Sequence, residues 1–98
     1  MKVKIGHLEY KIKVCGDKEF GIASDVWGSC DNQNCVIYIR EDIPGQYKLE
    51  VILHEIIHAI ATYFELKPEE KEVALLAKFF AKFLKENKKL ILSFLGEL

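Results

Sequence analysis

The segment "VILHEIIHAIATYF", residues 51–64, decides the fold, because it places two histidines and a glutamate in what otherwise resembles a buried helix. At about 100° per residue, His58 lies roughly 40° from His54 around the helix axis, and Glu55 lies roughly 100° from it. The polar side chains therefore share one narrow stripe, and the rest of the circumference is aliphatic or aromatic. A helix with this pattern is enclosed on most sides and presents only its stripe to a cleft.

The order His54-Glu55-x-x-His58 is the motif H-E-x-x-H, in which two imidazoles one helical turn apart can bind a single zinc ion. Glu55 would lie beside the metal rather than in line with the histidines, where a carboxylate can act as a general base toward water. Two buried histidines without polar partners would be costly. The motif predicts one zinc ion bound by His54 and His58, with Glu55 as the catalytic residue.

Composition limits the classes of protein that the chain can belong to. Residues 1–98 are half hydrophobic and are expected to form a single domain. The net charge of −1 argues against a nucleic-acid partner or an electrostatically driven membrane role. No apolar run approaches the roughly 20 residues that span a bilayer. We expect no membrane span.

The three cysteines bear on the compartment. No secretory signal precedes them, so free thiols in a reducing cytoplasm are expected, which predicts a cytoplasmic protein. A bridge or metal pair formed by Cys30 and Cys35 is the alternative.

Hydrophobic periodicity predicts strands first and helices afterwards, which is the order of an α+β fold. The predicted elements are a hairpin over 2–14, a strand over 35–41, a helix over 46–64, a helix from Pro68 to about Asn87, and a short C-terminal helix or tail. Residues 15–34 are rich in Gly, Asp, Asn and Ser, so a loop is predicted there. The expected sheet therefore has three strands.

Four segments resemble the minigluzincins, a family of small soluble zinc metallopeptidases. They are "GHLEYKIKV", "WGSCDNQNCVIYI", "LHEIIHAI" and "PEEKEVALLAKFFAKFL". The resemblance implies a minimal zincin-like domain with a small sheet, an active-site helix and a glutamate-bearing helix. It also implies a rim strand that binds extended peptide, and a latent zymogen in which the cleft is blocked.

A catalytic zinc ion requires a third protein ligand and one open position. The metzincin extension of the motif fails, because Ala61 and Phe64 stand where that motif needs glycine and histidine. In gluzincins the third zinc ligand is a glutamate on the next helix, and this arrangement remains possible here.

Three glutamates are candidates for that third ligand. In a helical projection Glu70 shares its side with three alanines, which let two helices approach closely. These alanines are Ala74, Ala77 and Ala81. Glu70 is therefore the predicted ligand, and Glu69 and Glu72 remain alternatives.

The motif and the resemblance together predict a zinc metalloendopeptidase that acts on peptide or protein substrates. Val36 to Arg40 is expected to align a substrate strand by backbone pairing. Tyr38 is a candidate for stabilising the oxyanion, whereas Tyr63 lies outside the polar stripe. The alternative function is a zinc-stabilised regulatory or interaction module with little or no turnover.

The C-terminal segment "LILSFLGEL", residues 90–98, is too apolar for a free tail. The zinc cleft, its own or a partner's, is the concavity in which we expect it to pack, which would keep the enzyme latent. An exchange of such tails between chains would give a homodimer. Ordinary packing against the helices is the alternative.

Overall fold

Four strands of the described part of the chain form a mixed sheet that supports the helices. The computed structural model describes residues 1–16 and 26–97. The strands are β1 (Lys2–Ile5), β2 (Leu8–Cys15), β3 (Gly28–Asp31) and β4 (Val36–Arg40), in the spatial order β1-β2-β4-β3. β2 and β4 run parallel, and the other two pairs are antiparallel. The predicted α+β class is confirmed, and the prediction of a three-stranded sheet is wrong.

The additional strand, β3, lies inside the predicted loop over 15–34. Asp31 ends it with a side-chain turn, in which its carboxylate accepts the backbone N–H groups of Gln33 and Asn34, both at 3.1 Å. Cys35 then takes a positive φ of 55°, and the return strand β4 begins at the next residue. Gly and Ser in this stretch favour a loop locally, but pairing with β4 makes the segment a strand. The part of the loop prediction that covers 17–25 lies outside the described residues.

The strand β4 is the centre of the sheet. Four of its five residues are buried, as expected for a strand that is covered on both faces. Its backbone pairs with β2 on one side and with β3 on the other. The prediction that Val36 to Arg40 aligns a substrate strand is wrong, because neither edge is available.

Among the described residues, three α-helices follow the sheet. They are α1 (Lys48–Tyr63), which a 3₁₀ turn at Gly45–Tyr47 precedes, α2 (Glu70–Glu86) and α3 (Lys88–Phe94). These positions confirm the helices predicted from periodicity. No described helix combines the length and the apolar character that crossing a bilayer requires. Within the described part of the chain, Cys15, Cys30 and Cys35 form no disulfide bond.

The helix α1 lies between the sheet and α2. The side chains that it packs on the sheet core include Ile52, Ile56 and Tyr63, and Ala59 is completely buried there. α2 packs on another side of α1 with its buried residues Val73, Ala77 and Ala81. By helical geometry, His54 and His58 fall between these two packed sides, so the polar stripe opens at the junction of sheet and helices.

The turn between β1 and β2 gives the first testable prediction. Gly6 has a φ of +63°, and a Cβ built there would overlap the ring of Tyr63, whose hydroxyl lies 3.0 Å from Nδ1 of His7. Replacing Gly6 with alanine should lower the free energy of unfolding by about 2–4 kcal/mol, through left-handed strain and overpacking. Urea denaturation measures the change.

The matched control is Gly45→Ala, since a Cβ at Gly45 meets nothing within 4 Å. That variant should stay within about 0.5 kcal/mol of the parent protein. Equal stability of the two variants would contradict the strain assigned to Gly6.

Candidate metal centre

A cleft of about 610 Å³ opens beside the edge of the sheet. One wall is β3 together with Trp27, which precedes it; the other walls are the polar side of α1 and Glu70 of α2. The cleft therefore lies where three elements meet, and each contributes polar groups that face the same space.

His54, His58 and Glu70 converge in this cleft. Nε2 of His54 lies 2.5 Å from Oε1 of Glu70, and Nε2 of His58 lies 3.0 Å from Oε2 of the same carboxylate. One ligand atom from each of the three side chains lies within 4.8 Å of the others, a grouping that could hold a metal ion. Both imidazoles are partly shielded from solvent, whereas the Glu70 side chain is largely exposed.

The other two candidate glutamates, Glu69 and Glu72, cap the N-terminus of α2. Glu72 accepts the backbone N–H of Glu69 at 2.8 Å, and the two residues form a capping box. Glu70 follows the cap and projects toward α1. The local requirement of a helix N-terminus thus accounts for Glu69 and Glu72, and Glu70 is the glutamate that the structure brings to the histidines.

Glu55 lies next to this group but does not belong to it. It is buried below β3, with only 7% of its surface exposed, and it lines the cleft. A Cβ built on Gly28 would lie 3.0 Å from Oε2 of Glu55, so the missing side chain at Gly28 makes room for the carboxylate. Burial raises the pKa of the Glu55 carboxyl, and the charges of His54 and His58 oppose that effect.

Neither tyrosine considered for the oxyanion lines the cleft. Tyr38 lines a separate cavity on β2 and β4, and Tyr63 contacts Gly6 and His7. Groups that sequence reasoning missed do line it, among them Ser29, Asn32 and Glu50. The signal that could have revealed the first two is "DNQN", a turn sequence between two short segments that can pair as a hairpin.

The C-terminal helix lies outside the cleft. Among the described residues, none from 88–97 lines it, and the described helix α3 packs mainly on α2. Within one chain, the described part of the C-terminal segment therefore does not occupy the cleft, although the sequence led us to expect that it would. Exchange of this segment between chains stays a prediction.

Cys30 gives a prediction that can be tested at the cleft wall. Burial raises the pKa of its thiol from 9.0 to about 12, and the nearby carboxylates of Glu55 and Asp31 act in the same direction. The thiol should stay protonated at pH 8, where an ordinary cysteine is partly thiolate and reactive. In the presence of EDTA, alkylation of Cys30 by iodoacetamide at pH 8 should be roughly 100-fold slower in the folded protein than in urea.

Mass spectrometry of peptides after timed quenching gives both rates. Matching rates in folded and unfolded protein would contradict the raised pKa. A Cys30→Ser variant identifies the modified position.

Comparisons of the chain with protein-family models, with curated proteins and with solved structures find no match. The arrangement of His54, Glu55, His58 and Glu70 in the cleft is therefore the evidence on which a function can be argued.

Proposed function

We propose that this protein is a zinc-dependent metalloendopeptidase of the gluzincin type, with a minimal zincin-like fold related to that of the minigluzincins. The observation that carries the proposal is the convergence of His54, His58 and Glu70 at one point, with the buried carboxylate of Glu55 beside them. H-E-x-x-H on a helix is the arrangement of zinc metallopeptidases, and the third ligand completes it.

The donor set fits a catalytic zinc ion. Two imidazole nitrogens and one carboxylate oxygen are a known ligand set for catalytic zinc, which leaves one coordination position for water or substrate. His54, His58 and Glu70 would hold the ion. When bound, zinc supplies a Lewis acid that polarises the scissile carbonyl and lowers the pKa of water to about 7.

Glu55 supplies the proton transfers in this proposal. Its carboxylate faces the cleft from beside the ligand group, and Gly28 closes over it. From this position it accepts a proton from the attacking water and delivers it to the departing amine. A buried, confined side chain is suited to this role because its orientation is restricted before substrate binds.

The substrate lies along β3 rather than β4 in this proposal. β3 is an edge strand, and in the described part of the chain it pairs with β4 alone. Its residues Gly28, Ser29 and Cys30 line the cleft directly above α1. An extended peptide can add to such an edge by backbone hydrogen bonds, and this presents a peptide bond to the metal centre.

A zinc-stabilised regulatory or interaction module is the alternative function. In such a module the metal would stabilise the fold and no reaction would be catalysed, so only the metal ligands would be required. The buried carboxylate of Glu55 favours the peptidase, since a non-ligating acid that lines the cleft beside the metal can serve as a general base toward water.

The direct test combines metal analysis with a peptide digestion assay. We expect one zinc ion per chain and hydrolysis of casein or of a quenched fluorescent peptide library. Chelation should abolish this activity and added zinc should restore it. A chain that binds no zinc would contradict both functions. A zinc-loaded chain that cleaves no peptide would contradict the peptidase and support the zinc-stabilised module.

A further inference from the structure

The helices α2 and α3 carry apolar side chains that are exposed on the surface. On α2, the exposed fraction is 61% for Phe79 and 37% for Phe83, whose rings stack with centroids 6.0 Å apart. The exposed fraction is 85% for Phe94, the last residue of α3, and 67% for Leu95, which follows it. α3 has no buried residue. The further exposed apolar side chains of this surface are Leu75, Leu76, Phe80 and Leu90.

Lysines accompany this surface. Residues 78–97 contain five lysines and two glutamates, although the whole chain has a net charge of −1. In the described part of the chain none of these lysines has an ion-pair partner; Lys85 donates to the backbone oxygen of Gln46 at 3.3 Å. Positive charge is therefore concentrated where the apolar side chains are exposed.

The lysines also have a consistent position on α2. In a helical projection Lys71, Lys78, Lys82 and Lys85 fall within about 60°, next to the exposed apolar sector. Long lysine side chains in such a position can extend along an apolar surface while the ammonium group reaches anionic groups.

We propose that the surface formed by α2 and α3 binds peripherally to an anionic membrane. The face joins exposed phenylalanine and leucine with lysines that have no ion-pair partner among the described residues, which is the composition of helices that lie in the membrane interface. A second copy of this chain fits less well, because its own lysines would meet these lysines across an apolar contact. Anionic headgroups satisfy the positive charge, and the acyl boundary covers the aromatic rings.

This inference does not depend on the proposed peptidase activity. Of α2, only Glu70 lines the cleft, and no described residue of α3 does. The surface and the cleft are thus separate parts of the molecule. The net charge of the whole chain does not reveal this positive surface, because the rest of the chain carries an excess of acidic residues.

The test measures co-sedimentation of the full chain with sucrose-loaded vesicles, either of phosphatidylcholine alone or with one quarter phosphatidylglycerol. We expect at least about 10-fold tighter partitioning onto the anionic vesicles, weakened by 0.5 M salt. The double variants Phe79→Ser/Phe94→Ser and Lys88→Glu/Lys89→Glu should each lose about 10-fold or more. Circular dichroism verifies that both remain folded, as expected for substitutions at exposed positions.

The matched control is Lys11→Glu/Lys13→Glu on β2, which makes the same change of charge on the sheet and should bind like the parent chain. Equal binding to both kinds of vesicle, or none, would overturn the proposal. So would light scattering that shows a dimer which Phe79→Ser/Phe94→Ser converts to a monomer, since the surface would then belong to a second copy. If the Lys11→Glu/Lys13→Glu control loses as much binding as Lys88→Glu/Lys89→Glu, the vesicles respond to the total charge of the chain and not to this surface. That result would also overturn the proposal.

Discussion

Replacing Glu55 with glutamine should reduce peptide hydrolysis by about 10²- to 10⁴-fold while the zinc content of the protein stays at one ion per chain. The amide keeps the shape of the side chain but cannot accept the proton from water. Glu55 is buried beside the ligand group and is not part of it, so its loss should leave metal binding intact. Steady-state kinetics with a fluorescent peptide and elemental analysis of the same sample measure the two quantities.

Glu50→Gln is the matched control for this experiment. Glu50 also lies on α1 and lines the cleft, but it stands one turn before the first histidine. Its replacement should change the rate by less than about 10-fold, because it carries no proton in the mechanism. If Glu55→Gln loses its zinc, Glu55 is a ligand and the assignment of roles is wrong. If it keeps both zinc and activity, Glu55 is not the base.

Replacing Glu70 with alanine should weaken zinc binding by roughly 100-fold or more, because outer partners of zinc ligands alone are worth about 10- to 100-fold. The carboxylate of Glu70 lies 2.5 Å from His54 and 3.0 Å from His58, so its removal leaves two histidines to hold the ion. Competition with a fluorescent zinc chelator measures the dissociation constant. Peptide hydrolysis should fall in parallel at limiting zinc.

Glu72→Ala separates this effect from damage to α2. Glu72 accepts the N–H of Glu69 at the start of the same helix, so its loss should cost about 1 kcal/mol of stability and leave zinc affinity unchanged. Retained affinity in Glu70→Ala together with lost affinity in Glu72→Ala would move the third ligand to Glu72. Thermal unfolding with excess zinc measures the stability of both variants.

Local pattern was sufficient for most of the fold. The hairpin of β1 and β2, the strand β4 and the helices α1 and α2 follow from periodicities of two and about 3.6 residues, which each segment carries by itself. The relation of His54 to His58 is also local, because one helix holds both side chains one turn apart. These features needed no knowledge of the neighbours of each segment.

The strand β3 and the choice of Glu70 needed the tertiary structure. Gly28 to Asp31 has no strand-forming composition, and only pairing with β4 makes it a strand that walls the cleft. That pairing also occupies the edge of Val36 to Arg40 that the sequence suggested for substrate. The physical reason is that sheet order depends on contacts between segments distant in the chain, which a local pattern does not record.

By itself, the sequence determined an α+β chain with two histidines and a glutamate on one stripe of an enclosed helix. Only the tertiary structure brought a carboxylate of the next helix to that stripe and placed the cleft beside an edge strand. It also left the C-terminal helix outside the cleft, with its phenylalanine exposed. The apolar composition of Leu90 to Glu97 indicates that this segment should be covered. Which apolar surface stays exposed depends on the direction in which α2 and α3 extend from the rest of the domain, and a local pattern does not record that direction.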